Sequence, residues 1–172
     1  MDLRSLSDEE LMEHVQQGNR PAYETLFARH RGSVFGFLVR RTRERERASD
    51  LFQETWLRVH KGRHTYQAGQ KFKPWLFGIA LNATRDAGRK DTRRVDTVEM
   101  TMDRPARPID HASRMTLEQA IDTLPENLKD AFLLGAVYGL DHNEVAERLD
   151  ISSANARARI SRARKFLREK LT

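Results

Sequence analysis

The sequence predicts an all-α protein built from two small helical domains that an extended linker joins. Apolar residues recur at helical spacing over most of the 172 residues, and no stretch shows the alternation typical of strands. Two stretches open with a capping-box pattern, Ser7 with Glu10 and Asp141 with Glu144, which marks a helix N-terminus. Between them the periodicity fails over residues 91–114, where charges of both signs alternate and prolines interrupt. We therefore expect two helical cores separated by a linker.

The first domain is predicted to span residues 1–90 and to contain five helices. The first helix ends at Gly18, the second runs over about 21–30, and a separate third helix follows. The fourth carries a wide apolar stripe, and the fifth begins near Pro74 and reaches about Lys90. The residues predicted to face the core are Leu11, Val15, Tyr23, Leu26, Phe27, Val34, Phe37, Leu38, Leu51, Phe52, Thr55, Trp56, Val59, Leu76, Ile79, Ala80 and Ala83.

The second domain is predicted to span residues 115–172 and to end in a helix-turn-helix. Helical periodicity resumes near Leu117, and Gly139 interrupts it ahead of a short capped helix. A tight turn and a longer basic helix follow, which is the order of a helix-turn-helix. At 100° per residue the apolar positions of the last helix share one stripe, which is predicted to face the core: Ala156, Ile160, Ala163 and Leu167.

The charge of the chain is concentrated at its end. The net charge is +6, and residues 151–172 hold seven Lys/Arg against one Glu, so residues 1–150 balance at 24 against 24. A sequence pI near 10.0 indicates a polyanionic partner, of which nucleic acid is the commonest. The absence of cysteine excludes disulfides and thiolate metal sites, and no apolar run is long enough for membrane insertion. We expect a cytoplasmic protein.

The polar side of the last helix is the candidate DNA-binding surface. Small residues at its leading end let it enter a major groove about 12 Å wide, and arginine can bind both guanine edges and phosphate. The competing interpretation is a merely solvated charged helix, but such helices usually mix signs, and acid is nearly absent here. The candidate residues are Ser152, Ser153, Asn155, Arg157, Ala158, Arg159, Arg162 and Lys165.

Three segments in order carry a resemblance to a known family. "DLFQETWLRVHKG" is followed by "FKPWLFGIALNATRDAGRK" and, after the linker, by "LPENLKDAFLLGAVYGLDHNEVAERLDISSANARARISRARKFLRE". Together they resemble the bacterial RNA polymerase sigma factors of the extracytoplasmic-function (ECF) group of the sigma-70 family. In that family the first domain is region two and the last is region four. The resemblance covers nearly the whole chain.

The resemblance implies a role for each segment. The first segment would dock on the clamp helices of the polymerase β′ subunit through Asp50, Gln53, Glu54, Leu57 and Arg58. The second would read and melt the minus-ten promoter element, with the preceding loop holding an extruded base; the candidates are His64, Tyr66, Asn82, Arg85, Asp86 and Arg89. The last helix would read the minus-thirty-five element. The implied partners are core RNA polymerase, through its β′ clamp helices and β flap, promoter DNA and an anti-sigma factor.

Two departures from the family pattern lie in the helix-turn-helix. Ala154, Asn155 and Ala156 stand where relatives usually have Gly-Thr-Val, and Asp150 replaces a usual glycine in the turn. Aspartate can adopt the left-handed conformation more readily than most residues, so we expect the fold to survive. The sequence of the minus-thirty-five element that this helix reads is less predictable.

Two other classes of function compete with the sigma-factor hypothesis. A stand-alone helix-turn-helix regulator would bind duplex DNA by itself, but it has no need of the first two segments. An enzyme is not predicted, because the chain has neither a glycine-rich phosphate loop nor a nucleophile elbow. His60 and His64 have the spacing of two metal ligands on a helix, yet Gly62 lies between them and no acidic third ligand is near. We predict no catalytic residue, no metal and no cofactor.

Overall fold

The computed structural model describes residues 2–95 and 115–172, and every regular element in these two ranges is helical. This confirms the all-α prediction. The α-helices are α1 (Asp8–Gln16), α2 (Arg20–Thr42), α3 (Arg45–Lys61), α4 (Phe72–Val95), α5 (Leu117–Asp122), α6 (Glu126–Phe132), α7 (His142–Leu149) and α8 (Ser153–Leu171). Short 3₁₀ turns occupy Leu3–Ser5 and Arg63–Thr65, and a π-helical segment, Leu133–Val137, continues α6.

Helices α1–α4 form the N-terminal unit, in which α2 packs on α1 and α3 while α4 packs on α3. The prediction of two helices within α2 was wrong, because the structure has one helix from Arg20 to Thr42. Gly32 lies at the predicted break and is exposed. A Cβ added there would have no neighbour within 4 Å. A glycine inside a helix costs only about 1 kcal/mol. Burial of Leu26 before it and Val34 after it supports one continuous helix.

Helix α4 is longer at both ends than the sequence predicts. It begins at Phe72, two residues before Pro74, and continues to Val95. Residues 91–95, assigned to the linker from their mixed charge, are therefore helical. The remainder of the predicted linker, 96–114, lies outside the described residues. Among the described helices none is long and apolar enough to cross a membrane.

Helices α5–α8 form the C-terminal unit, whose core lies where α8 packs on α6 and α7. The predicted inward stripe of α8 is confirmed, because Ala156, Ile160, Ala163 and Leu167 are all buried. Gly135 in the π-helical segment lies close to α8, because an added Cβ there would lie 2.6 Å from Cδ1 of Ile160. Alanine at this position would therefore require the end of the buried Ile160 side chain to shift.

The two units also contact each other. Helix α2 packs on α5, and α4 packs on α7. Tyr138, which follows the π-helical segment, is buried against Phe37 and Phe77 of the N-terminal unit. The two units thus pack against each other, and we call this the closed arrangement.

Candidate nucleic-acid interface

The helix-turn-helix is defined by its caps. The Asp141 side chain accepts from the backbone N–H of Glu144, and the Glu144 carboxylate accepts from the N–H of Asp141, so the predicted capping box at α7 is confirmed. Helix α7 ends at Asp150, which has φ 55° and ψ 51°, the left-handed conformation expected at this position. Ser152 then caps α8, accepting from the N–H of Asn155 at 3.1 Å. These three caps fix the angle at which α8 leaves the turn.

The candidate DNA-binding residues of α8 fall on its outer surface. Ser152, Ser153, Arg157, Arg162 and Lys165 are exposed, whereas Asn155, Ala158 and Arg159 are half-buried. Exposed cations in this arrangement make a surface that can accept a phosphate backbone. The exposed members of the predicted set therefore lie on the solvent-facing side of the helix-turn-helix.

The start of α7 supports the first turns of α8, which the sequence analysis missed. The hydroxyl of Ser153 lies 2.5 Å from Oδ1 of Asn143, and Arg157 donates to Nδ1 of His142 at 3.4 Å. Both partners lie in the first turn of α7, after the Asp141 cap, and the capping box predicts that turn but not its contacts with α8. His142 and Asn143 hold candidate DNA-binding side chains in place.

Arg159 is directed toward its own unit. It donates to Oδ1 of Asn155 at 3.2 Å and to the carbonyl of Asn127 at 3.5 Å. In contrast, Arg162 and Lys165 are exposed and make no ion pair or hydrogen bond within residues 2–95 and 115–172. These two cations are the most available ones in the predicted set.

The polar face of α4 forms a second candidate surface. Asn82 and Arg89 are exposed, while Arg85 and Asp86 are half-buried on the same side of the helix. Arg85 and Arg89 line a shallow groove together with Arg41 of α2, Thr84, Gly88 and Thr92. Asp86 pairs with Arg58 of α3 at 2.8 Å and with Arg89 at 3.7 Å. Three guanidinium groups therefore line the groove, those of Arg41, Arg85 and Arg89.

The loop before α4 places its two candidates differently. His64 is exposed, but Tyr66 is only 4% exposed and contacts Trp75 and Phe72 at ring-centroid distances of 5.2 and 6.3 Å. The Tyr66 hydroxyl donates to the carbonyl of Gln70, and burial raises the pKa of Tyr66 to about 12. In this conformation Tyr66 is a core residue. The sequence pattern could not separate it from its aromatic neighbours.

Gln16 of α1 anchors this loop and was not identified from the sequence. Its side-chain amide donates to the carbonyls of Arg63 and Tyr66 at 2.9 and 2.7 Å. A polar residue at the end of an amphipathic helix carries no sequence signal of such a role. It fixes the loop backbone that presents His64.

The outer face of α3 is the candidate polymerase-binding surface. Asp50 and Gln53 are exposed, Leu57 is 46% exposed, and Glu54 and Arg58 are half-buried. Arg58 donates to Glu54 at 2.9 Å and to Asp86 at 2.8 Å, so it joins this face to the polar face of α4. These hydrogen bonds, led by the one to Glu54, raise the pKa of Arg58. The two candidate surfaces of the N-terminal unit are therefore contiguous.

Comparison with known proteins places the chain in a family. Residues 26–94 match the family model of Sigma-70 region 2, and residues 114–167 match that of Sigma-70, region 4. The chain is 39% identical to the RNA polymerase sigma factor CarQ of Myxococcus xanthus over 93% of this chain and 95% of that one. It is 28% identical to the ECF RNA polymerase sigma-E factor of Haemophilus influenzae over 96% of each.

Two solved structures share the fold. One is CnrH in complex with the cytosolic domain of CnrY, at 23% identity and a TM-score of 0.70 over 94% of this chain and 95% of that one. The other is the sigma factor RpoE in complex with the anti-sigma factor NepR from Bartonella quintana, at 22% identity and a TM-score of 0.74. That second match covers 87% of this chain and 96% of the other.

A region-two unit and a region-four helix-turn-helix together define a sigma factor, and this chain belongs to the sigma-70 family. Within that family it is a member of the extracytoplasmic-function group, whose sigma factors match it over nearly its full length. It is a factor that binds core RNA polymerase and directs promoter-specific transcription initiation. The match to both regions favours this function over that of a stand-alone regulator.

Proposed function

We propose that this sigma factor works through three surfaces and carries out no catalysis of its own. The outer face of α3 docks on the polymerase, the polar face of α4 reads the minus-ten element, and α8 reads the minus-thirty-five element. The observation that carries the proposal is the Arg58–Asp86 pair, at 2.8 Å, which makes the first two surfaces contiguous. Such contiguity lets one helix bind polymerase while its neighbour meets DNA. We place this activity in the cytoplasm, where the polymerase and promoter are.

Polymerase docking on the β′ clamp helices is assigned to Asp50, Gln53, Glu54, Leu57 and Arg58. Leu57, which is 46% exposed, supplies the apolar centre of the surface, and protein interfaces have an apolar core within a polar rim. The C-terminal unit is assigned to the β flap. Docking at two points would hold both DNA-binding surfaces on one enzyme.

Minus-ten recognition is assigned to Asn82, Arg85, Asp86 and Arg89, with His64 on the preceding loop. Asparagine can pair with an adenine edge, and arginine can hold phosphate. Capture of an unstacked base recovers part of the few kcal/mol that unstacking costs. Tyr66 can take part only if the loop rearranges, because its ring is buried beside Trp75.

Minus-thirty-five recognition is assigned to the outer side of α8. Arg162 and Lys165 contact phosphate, and Asn155, Arg157, Ala158 and Arg159 lie at or beside the base edges. Ser152 and Ser153, at the helix N-terminus, lie where a phosphate would meet free backbone N–H groups. Phosphate contacts position the helix, and base contacts specify the sequence.

A run-off transcription assay tests the proposal. Purified protein is added to bacterial core polymerase with fragments of the source genome, and the Gln53→Ala/Glu54→Ala double variant is compared with wild type. The matched control is Gln17→Ala/Glu13→Ala, which removes the same two side-chain types from exposed positions at the end of α1. We expect discrete transcripts from wild type and the control, and at least a tenfold loss in the α3 variant.

Other results would change the assignment. Equal transcription by the α3 variant would refute its contact with the β′ subunit. If no fragment gives a transcript while the protein alone shifts duplex DNA, the stand-alone regulator becomes the better description. Circular dichroism of each variant shows that a loss of activity is not a loss of fold.

An anti-sigma factor is proposed as a further partner. One related structure is that of the sigma factor RpoE in complex with the anti-sigma factor NepR. We propose that a comparable partner covers the outer face of α3, because a protein that hides Leu57 and its polar neighbours prevents docking on the polymerase. Co-purification with wild type but not with Leu57→Asp would support this surface. Equal capture by both would place the partner elsewhere.

A further inference from the structure

The interface between the two units is complementary in charge, and the sign is consistent throughout. Arg40 of α2 donates to Glu118 of α5 at 2.9 to 3.3 Å. Arg41 pairs with Glu126 and Asp130 of α6, each at 2.7 Å. Two longer pairs extend the pattern: Arg43 with Asp122 at 3.9 Å, and Lys71 with Glu144 at 4.0 Å. In every one of these pairs the cation lies on the N-terminal unit and the acid on the C-terminal unit.

The same segregation appears in the sequence once the charge is summed by unit. Residues 1–95 hold 19 Lys/Arg and 12 Asp/Glu, a balance of 19 − 12 = +7. Residues 115–150 hold two Lys/Arg and eight Asp/Glu, a balance of 2 − 8 = −6. The apparent neutrality of residues 1–150 therefore conceals a positive surface and a negative one that attract each other. We name the five acids Glu118, Asp122, Glu126, Asp130 and Glu144 the acidic face.

An aromatic anchor gives the interface its shape. Tyr138 is 7% exposed, stacks on Phe77 at 5.1 Å and meets Phe37 edge-on at 5.8 Å. Its hydroxyl accepts a hydrogen bond from Arg40. A Cβ added at Gly36 would lie 3.1 Å from that hydroxyl, so α2 has a glycine where Tyr138 approaches closely. The contact therefore combines burial of the Tyr138 ring with a hydrogen bond from Arg40 to its hydroxyl.

A second glycine marks the other edge of the interface. A Cβ at Gly78 of α4 would lie 2.9 Å from Cδ of Arg148, which belongs to α7. In contrast, Gly32 of α2 has open space around it. A helix-interior glycine costs about 0.5–1 kcal/mol relative to alanine, so the two close ones mark where the units must approach. Gly32 provides an internal control for Gly36.

The acidic face reaches the groove that the N-terminal unit offers to DNA. Arg41, which pairs with Asp130, lines that groove with Arg85 and Arg89. Asp130 itself is buried. Burial raises the pKa of Asp130, and Arg41 and Arg85 act in the opposite direction. Two carboxylates, from Glu126 and Asp130, thus stand where a phosphate of a bound strand would neutralise the guanidinium group of Arg41.

We infer that the acidic face of the C-terminal unit is an internal competitor for DNA at the α4 groove. In the closed arrangement it neutralises Arg41, which lines that groove, and a DNA strand must displace it. The inference rests on the proposed role of the α4 face in binding DNA. The units can separate, because the chain between residues 95 and 115 reaches at most about 70 Å when extended. The affinity of the free protein for DNA at the α4 groove is then reduced until the two units separate.

The test compares two charge-neutral variants in the full chain. Gly36→Leu places a side chain against Tyr138, and Gly32→Leu places the same side chain in open space. Because the chain has no cysteine, Gln17→Cys and Glu169→Cys can carry spin labels without background. The distance between the labels reports closure, and a fluorescent single-stranded oligonucleotide of mixed sequence reports DNA affinity. Mixed sequence suffices because phosphate contacts carry no sequence information.

We expect Gly36→Leu to lengthen the distance and tighten DNA binding about tenfold, as removal of a closed population of about 90% would. Gly32→Leu should match wild type in both measurements. Glu118→Arg should also open the protein, and the swap Arg40→Glu/Glu118→Arg, which leaves net charge unchanged, should close it again. Recovery by the swap would show that the pair itself holds the units together.

Two outcomes would overturn the inference. If wild type already shows the long distance of Gly36→Leu, the interface does not hold in solution. If Gly36→Leu opens the protein with no change in DNA affinity, the acidic face does not compete with DNA. Neither outcome depends on run-off transcription, so a failure of the proposed function is recognised separately, by a holoenzyme that makes no transcript.

Discussion

Gly135 and Ile160 approach each other closely where α8 packs on the π-helical segment. The free energy of this contact can be tested directly. An added Cβ at Gly135 would lie 2.6 Å from Cδ1 of Ile160 and 3.5 Å from Cγ2 of Val145. The first distance is too short for two carbon atoms, so Gly135→Ala must displace α8 or force Ile160 from its rotamer. Overpacking of this kind costs about 1–3 kcal/mol. Removal of a helix-interior glycine returns about 0.5–1 kcal/mol, which leaves a net loss near 1–2 kcal/mol.

A second substitution makes the prediction specific. Ile160→Val removes the Cδ1 atom that the new methyl group meets, and alone it should cost about 0.5–1.5 kcal/mol at this buried site. In the double variant the clash is absent, so its loss should fall short of the sum of the single losses by about 1 kcal/mol or more. The coupling energy would measure the tightness of the approach between the π-helical segment and α8.

Urea unfolding followed by circular dichroism measures these free energies. Both tryptophans, Trp56 and Trp75, lie in the N-terminal unit, so fluorescence reports that unit separately. Hydrogen exchange of peptides from α6 and α8 assigns the loss to the C-terminal unit. A neutral Gly135→Ala, or single losses that simply add in the double variant, would refute the close packing of these two residues.

Three further predictions concern DNA binding, the turn and pH. Arg162→Ala and Lys165→Ala should each weaken promoter binding by holoenzyme and reduce the slope of log affinity against log salt by about one for each phosphate that the variant no longer neutralises. Asp150→Ala should destabilise the C-terminal unit in thermal unfolding by about 1 kcal/mol, because alanine tolerates the left-handed conformation poorly, whereas Asp150→Gly should not. Asp8 is expected to stabilise the N-terminal unit at neutral pH and to lose that effect on acidification, as urea unfolding at several pH values would show.

The pH prediction follows from the surroundings of Asp8. Burial raises the pKa of Asp8, but hydrogen bonds from His30 and Arg29 outweigh it, so the pKa is lower in the folded protein than in the unfolded chain. The stabilisation is therefore complete above the unfolded value of about 3.9 and is lost as pH falls through the folded value. Asp8→Asn should reduce this loss of stability at low pH, and Asp50→Asn, at an exposed position, should leave the loss unchanged. If Asp8→Asn loses as much stability at low pH as wild type, Asp8 is not the source of the loss.

The other two predictions have matched controls as well. Arg20→Ala removes an equally charged side chain that is 87% exposed on α2, and it should leave the salt slope of promoter binding unchanged. An unchanged slope in both Arg162→Ala and Lys165→Ala would contradict the placement of α8 on DNA. If Asp150→Ala and Asp150→Gly unfold at the same temperature, the left-handed turn contributes no strain.

The periodic elements of the fold were predictable from the sequence, and the places where prediction failed have physical reasons. The stripe of α8 and the caps at Ser7 and Asp141 rest on local patterns, which the structure confirms. The break predicted near Gly32 was wrong because local preference for a turn is weak beside the burial of both flanking apolar faces. Helix α4 continues to Val95 although its last residues have the composition of a linker.

Part of the candidate site could not be read from the sequence because it depends on contacts between distant residues. The spacing that puts Asn82, Arg85 and Asp86 on one face is local and was predicted. The pair between Arg58 and Asp86 joins residues 28 positions apart, and the hydrogen bonds of Gln16 reach about 50 positions along the chain. Tyr66 shows a related difficulty, because the sequence cannot tell a buried aromatic residue in a loop from an exposed one, and the structure buries this ring.

The charge distribution bears on how salt will act on this protein. Summed over residues 1–150 the charge is zero, so the sum alone locates the excess positive charge in the tail. The N-terminal unit is in fact positive and is covered by the acidic face of the C-terminal unit. Salt screens the attraction between the protein and DNA, and it also screens the pairs of Arg40 and Arg41 with the acidic face. Raising the salt concentration therefore weakens both the complex with DNA and the contact that competes with it. The salt slope of free wild type should therefore be shallower than that of the opened Gly36→Leu variant, although both present the same cations to DNA.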